Sequence, residues 1–513
     1  MNKASIRNLV TYGLALGLSL IFCGCGGSFA PNGDPGLAEQ SDITVAGSQP
    51  GITPFIASVQ LSGQSVAQLS SVEFNILPKP GSLSQPVDVT WSLNALSNRG
   101  YVQSNSINLP VFGLYAGYNN PVTFRLTFND GTQQQLIYQV ATQPYADPTG
   151  VYLNPTIVKA RAPGSTLGFN FFVVKSLLDS PVIIDTDGQL RWAVPSTPTA
   201  DVYFGNGQFV TGSGSGPSVT LLQMDGTQSA AGTNLPQPLL FSFNHNIDPG
   251  PNGLLAEFSG TDDLGDSVED IVAEIAPFSG QPPYEIFDMA DILTSYMLKN
   301  GDDPTAFVRP GVDWFHSNAS TYDPSDNTVI ISSRENFLIK VNYSTHDIVW
   351  IFGDPTKYWY TFPSLRAKAL TLDAGGDYPI GQHAVSITSD GYMMVFNDGL
   401  GSVNEPPGES AGISRTFSEV SAYSVNTAKM TAQQVWSFDY GKSIYSPVCG
   451  SSYEAAGNSY LVDFATADNY QQMRLVGVDS SLNVAFDFQY ASPTICGAGW
   501  NAIPIPLEDL QIN

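Results

Sequence analysis

The chain has 513 residues, is 42% apolar and only 13% charged, and carries 48 Gly, 36 Pro, 28 Phe and 23 Tyr. That length exceeds one ordinary core, and the turn-rich, aromatic composition favours many short strands over amphipathic helices. Forty-six acidic residues against 20 basic ones give a formal charge of −26, which excludes nucleic acid as a partner because a phosphate backbone needs a basic face. An anionic small-molecule substrate would have to find a local positive site against this field.

Lys3 and Arg7 precede an apolar run from Leu9 to Phe22 that ends in Cys23-Gly24-Cys25. A basic head and a short apolar core read as a secretory signal rather than a spanning helix. The cysteine after that core resembles a bacterial lipoprotein box, with Cys25, or Cys23, as the lipidation site. The expectation is therefore a signal peptide over 1–25, a flexible tether over 26–50, and an exported protein of the periplasm or cell envelope whose only membrane link is a lipid. In such a compartment Cys449 and Cys496 either pair or remain buried thiols, and spacing alone leaves both open.

Residues 51–145 alternate apolar and polar in stretches such as VEFNILP and VDVTWSLN, and VTFRLTFNDGTQQQLIYQV is a hairpin turning at Asn129-Asp130-Gly131. This pattern predicts a small N-terminal β-sandwich, bounded by TQPYADPTG near Tyr145. From 146 to 513 one signature recurs: an apolar strand, a polar turn, and a second strand often carrying an aromatic. The copies start at Ser180, Ser218, Asp270, Asn336, Glu419 and Met473. Partner strands such as GLLAEFSG, NTVIISSR and YMMVFNDG lie between them, giving close to four strands per unit. Six such units predict an all-β chain with a six-bladed β-propeller, and a tandem of β-sandwiches is the structural alternative. Met289–Leu298 is the one internal stretch with a helical pattern.

Only four histidines occur, and three of them, His245, His316 and His383, each open a segment running through a turn to an apolar strand. On a propeller, equivalent first strands face one channel, so the three would converge. A lone His is most often a hydrogen-bonded structural residue, and His346, out of register in STHDIVW, keeps that reading. Three imidazoles suit Zn²⁺, but no HExxH pattern accompanies them. The other chemistry is group transfer, with one imidazole attacking, another moving a proton and a cation holding the transferred anion. Arg334 favours transfer, because a guanidinium grips two oxygens of a tetrahedral anion; its bland alternative is a salt bridge with Glu335.

DWFHSNASTYDPSDNTVIISSR, the hairpin ending IVWIFG, and QHAVSITSDGYMMVFNDG with Arg415 downstream resemble the bacterial aryl-sulfate sulfotransferases, and NLPVFGLYAGYNNPVTFRLTF resembles their N-terminal β-domain. The resemblance implies a six-bladed propeller that moves a sulfuryl group from a phenolic sulfate ester to a phenol, without a nucleotide donor, cofactor or metal. It implies ping-pong kinetics through a sulfohistidine at His383, with catalytic roles for His316 and Arg334. His245, Asn318 and Arg334 would bind the substrate. Two departures stand out: Asn397-Asp398 inverts the Asp-Asn order expected of the family, and no cysteine falls shortly before His383.

The partners expected are an aryl sulfate donor and a phenolic acceptor; homodimerisation is left open. The competing reading is a non-catalytic, lipid-anchored propeller that binds a glycan or a protein. The insertions Tyr296 to Val312 and Lys357 to Ile380 are expected to roof the site, and the contribution of Ser446 to Ser452 is not assignable from sequence.

Overall fold

Period-two alternation shapes the N-terminal strands. In Leu69–Ile76, Val72, Phe74 and Ile76 are fully buried while Glu73 and Asn75 between them stay partly exposed. The computed structural model describes residues 42–179, 181–231, 234–236, 242–261 and 267–513. The expected signal segment, Cys23, Cys25 and the first part of the tether lie outside the described residues. Thr44–Pro50, within the stretch expected as tether, is already a strand paired with Ile56–Ser62. Among the described residues no helix is long and apolar enough to cross a membrane.

Two sheets are built from this N-terminal region. One holds Thr44–Pro50, Ile56–Ser62, Ser106–Phe112 and Val102–Gln103; the other holds Val87–Ser92, Leu69–Ile76, Asn119–Phe128 and Gln133–Ala141. Phe74 meets Phe112 edge-on across them at 5.3 Å. The expected hairpin turns at Asn129-Asp130-Gly131, where Gly131 has φ 84° and Asp130 accepts from the Thr132 N–H at 2.9 Å.

Six further sheets of four or five strands follow. Each of the six hairpins read from the sequence supplies two neighbouring strands of a different sheet, on the side away from that sheet's first strand. Taking as first strand the edge strand that begins each meander, those of the third, fourth and fifth sheets are Ser242–Pro249, Ser317–Asp323 and Gln382–Ile387 (the short Thr371–Leu372 joins the fifth sheet at its opposite edge), and they pack side by side, with Ser451–Ala455 of the sixth sheet next. The two chain directions are tied together: Asn501–Ile505 pairs with Phe171–Lys175 in the first of these sheets, while Thr156–Lys159 adds to the last one beside Val484–Ala491. Leu510–Ile512 then returns to the N-terminal region and runs parallel to Val87–Ser92.

The expected helix forms as Met289–Lys299, capped by Asp288, whose side chain accepts from the Asp291 N–H. Met289, Leu293 and Met297, four residues apart, bury one face against a cluster that includes Trp314 and Phe315. That packing fixes the approach to His316. Cys449 and Cys496 form a disulfide with Cα atoms 6.3 Å apart, so the open alternative resolves to pairing.

Candidate active site

Each histidine of the constellation sits at or immediately before an irregularity in a first strand. Pairing registers shift between Asn244 and Ile247, between Ser317 and Ala319, and between His383 and Ser386. His245, His316 and Ala384 have φ of 59°, 53° and 50°, the left-handed region that β-strands avoid. Such bulges re-aim side chains off the sheet. Here they turn the three imidazoles into one cavity of about 350 Å³, lined also by Asp313, Arg334, Glu335, Val403, Asn404, Val448, the Cys449–Cys496 pair, Ile495 and Trp500.

His383 is 5% exposed, and its Nδ1 lies 3.0 Å from the Gly381 carbonyl. A carbonyl only accepts, so Nδ1 carries the proton and Nε2 keeps its lone pair. Burial, and then the Arg334 cation, hold this imidazole well below its ordinary value, so it is neutral. Asp398 Oδ2 stands 3.7 Å from Nδ1 and 3.4 Å from the Arg334 guanidinium. Burial pushes this carboxyl up to about 8 despite Arg334. The counter-charge to Arg334 comes from Glu335, 2.9 Å from Nη1, which is held low against its own burial by Arg334 and by the Ser402 hydroxyl. The remaining contacts of Arg334 Nη2, to Asp398 at 3.4 Å and the Pro447 carbonyl at 3.5 Å, are long. They are weak competitors for an arriving anion.

The other wall is acidic. Glu269 Oε2 lies 2.9 Å from His245 Nε2 and 2.9 Å from His316 Nδ1, and Asp313 Oδ2 also bonds His316 Nδ1. Burial alone would lower His316, but its bonds to Asp313 and Glu269 carry it up to about 10. It is therefore an imidazolium at neutral pH, with a proton on Nε2 to give. His245 and His316 meet edge to face at 4.7 Å, and Trp500 lies 5.1 Å from His245. Donor atoms of His245, Glu269 and His316 all fall within 4.8 Å of one another, a spacing open to a divalent cation. Metal-bound imidazoles usually give their second N–H to an outer acceptor. His245 Nδ1 has no such partner among the described residues, and both bonded ring nitrogens point at one carboxylate oxygen. The set fits two N–H donors sharing an acceptor better than it fits a metal.

The sequence matches the family described as Arylsulfotransferase (ASST) over residues 155–495, and the Arylsulfotransferase Ig-like domain over residues 50–143. The chain belongs to the arylsulfotransferase family. A protein of Escherichia coli O6:H1 named arylsulfate sulfotransferase AssT is 31% identical over 160 residues, 28% of this chain and 26% of the relative. A Lelliottia amnigena protein of the same name is 26% identical over 219 residues, 39% and 32% of the two chains. The aligned segments thus span about a quarter to a third of these relatives. Among solved structures, a β-propeller domain of Myceliophteria thermophila Cps50 (Swd1) shares 10% identity at a TM-score of 0.34, over 66% of this chain and 90% of that one.

Within this arylsulfotransferase-family chain, His245, His316, Arg334 and His383 line one cavity. Asn318 does not line it. Its Nδ2 donates to the Gln382 carbonyl at 2.8 Å, and it is buried beneath the residue that precedes His383. Gln382 is held from below as well, its Nε2 donating to the Ser333 carbonyl. Arg415 also lies off the cavity, paired with Glu419 at 2.5 Å. His346 contacts Glu285 at 3.1 Å on another surface.

The mouth is framed by Val403 and Asn404, Val448 and Ile495, rather than by the two long insertions. Lys357, at the head of the second insertion, serves instead as a support, its Nζ donating to the Glu335 carbonyl at 2.8 Å. Glu335 in turn accepts from the Val403 and Asn404 N–H groups at 2.8 and 3.0 Å, so the residue that neutralises Arg334 also pins the mouth. Sequence reasoning missed Glu269, Asp313 and the mouth loop. The only available signal was the pair of carboxylates in SVEDIV and VDWFH, ahead of strands already recognised.

Proposed function

We propose that this chain is an exported aryl-sulfate sulfotransferase working by a ping-pong mechanism through a sulfohistidine at His383. Its six sheets act as blades of a six-bladed β-propeller, over 146–513, behind an N-terminal β-sandwich over 51–145. The observation that carries the reading is one neutral, buried imidazole with a free Nε2 beside one guanidinium whose outer bonds are long.

In the first half-reaction His383 Nε2 attacks sulfur while the bond from sulfur to the aryl oxygen breaks. Arg334 binds the sulfuryl oxygens as their charge redistributes. His316 gives its Nε2 proton to the leaving aryl oxygen, and the phenol departs. In the second half the acceptor hydroxyl returns a proton to His316, its oxygen bonds sulfur, and the electron pair goes back to His383. His245 holds the substrate beside Trp500, and Asn318 acts through Gln382. The exposed apolar side chains Val403 and Ile495 at the mouth suit an aromatic ring. Signal cleavage and lipidation at Cys25, or Cys23, would hold this site at a bacterial envelope membrane.

Purified protein should release at most one equivalent of phenol from a chromogenic phenyl sulfate on its own, and turn over continuously only when a second phenol accepts the group. Mass spectrometry without acceptor should find an acid-labile sulfate adduct on His383. A folded protein that shows neither transfer nor adduct would leave the non-catalytic glycan- or protein-binding reading in its place.

A further inference from the structure

We infer that Glu269 is a positioning residue for the transfer, one carboxylate oxygen that holds both His245 and His316 and aims the proton-carrying face of His316 at the aryl oxygen. The inference rests on the sulfotransferase reading above, and it adds a residue that no motif of the chain marks.

The geometry is specific. Glu269 is the third residue of the third strand of the third sheet, Ser267–Ile275, and it does not line the cavity. It stands behind the two imidazoles. Its Oε2 accepts from Nε2 of one ring and Nδ1 of the other, both at 2.9 Å, so the rings are held through different nitrogens. This fixes His316 with Nδ1 inward and Nε2 free. Asp313 completes the brace, bonding His316 Nδ1 through one oxygen and accepting the Glu269 N–H at 3.2 Å through the other. The carboxylates of Glu269 and Asp313 are 25% and 28% exposed, so neither is sealed off from solvent. The charged and titratable groups facing His316 are Glu269, Asp313, His245, His383 and Arg334.

The chemistry follows from two fixed acceptors on one nitrogen. Nδ1–H is engaged, so the mobile proton is the one on Nε2. During donor cleavage that proton moves to the aryl oxygen as the sulfur–oxygen bond breaks, leaving His316 neutral and still held through Nδ1. During acceptor attack the hydroxyl proton returns to the same Nε2. No ring flip is needed between the half-reactions, because Glu269 and Asp313 hold the same N–H in both.

Glu269→Gln keeps the shape but replaces the shared anion with a neutral amide. With saturating acceptor, kcat should fall about 30-fold or more for donors whose leaving phenol is as weakly acidic as a tyrosine side chain, and less than about 5-fold for 4-nitrophenyl sulfate, whose leaving group needs little protonation. Equal losses on both donors, or none, would overturn the inference. Glu269→Asp, charged but too short to hold both rings, should fall between. A readout without turnover comes from the ring-nitrogen NMR signals of the four histidines: the His316 midpoint should drop in Glu269→Gln. An unchanged midpoint sinks the inference even if activity changes. A wild type that transfers no sulfuryl group while the midpoint shifts as expected would sink the sulfotransferase reading and leave the brace standing.

Discussion

The two walls of the cavity start from the same backbone device and end in opposite chemistry. His383 sits at a bulge in the first strand of its sheet, and His316 immediately precedes the bulged first strand of the neighbouring sheet. His316 meets two carboxylates and is carried up to about 10; His383 meets a carbonyl, burial and Arg334 and is held well below its ordinary range. The strand repeat places an imidazole, and residues outside that strand decide its protonation. One wall therefore stores a proton and the other presents a lone pair, which is the division that a two-step group transfer between oxygens requires.

The contrast breaks most severely at its neutral member. His383→Ala should lower transfer on the order of 10⁴-fold or more while leaving the melting temperature nearly unchanged, measured on purified protein with a chromogenic donor. Retained turnover would mean that the attacking lone pair lies elsewhere. Next in size is Arg334→Lys. The charge survives but the planar fork is lost, and kcat/KM for the donor should drop about 100-fold, as when a single charge-stabilising donor is removed. A loss confined to the acceptor's KM would place Arg334 on the wrong substrate.

What the sequence revealed of this comparison was the strand half. The hairpins, the three histidines in one register and Arg334 at a strand end were legible because strand periodicity and turn residues are local signals. Glu269 was not, since it reaches its partners from a different strand of the third sheet, across 24 residues to His245 and 47 to His316. Asn318 shows the converse limit. It reads like an anion ligand in HSNAS, but its Nδ2 donates to the Gln382 carbonyl of the next sheet, a contact that no local pattern encodes. The disulfide was open for the same reason: Cys449 and Cys496 precede two different strands, Ser451–Ala455 and Asn501–Ile505, that come together only by packing across sheets. The apparent inversion at Asn397-Asp398 also looks different in three dimensions, because Asp398 lies 3.7 Å from His383 while Asn397 donates to the Ser421 hydroxyl.

The His383 wall can be sharpened through the backbone behind it. Gly381 has φ +59°, and a Cβ there would come within 1.6 Å of Asp398 Oδ1. Gly381→Ala must displace Asp398 or the carbonyl that fixes the His383 tautomer. It should cost about 2 kcal/mol or more in stability, seen in denaturant melts, together with a clear fall in kcat. If activity fell with no loss of stability, the Gly381 carbonyl would matter and the crowding would not. Unchanged activity would show that neither sets the nucleophile.

The smallest effect tests whether burial raises a carboxyl in this chain, as it does at Asp398 despite Arg334. Asp463 is fully buried, neither of its oxygens has a partner among the described residues, and burial alone pushes it up to about 8. It stays protonated in the fold but ionises near 3.8 when unfolded, so folding takes up a proton between those values. Its stabilising contribution is complete below the unfolded value and is lost as pH rises towards 8. Asp398 acts in the same direction, and so does His316 above its ordinary 6.5; His383, held below 6.5, acts oppositely up to that value but is one group against two carboxyls, and Glu269 and Glu335, held below their ordinary 4.5, contribute nothing opposite above pH 5. The melting temperature should therefore fall from pH 5 to pH 8.5. Asp463→Asn should recover about 2–4 °C of that fall at pH 8.5 and change little at pH 5. A shift of the same size at both pH values would mean that Asp463 is already ionised in the fold, and would weaken the case that burial outweighs Arg334 at Asp398.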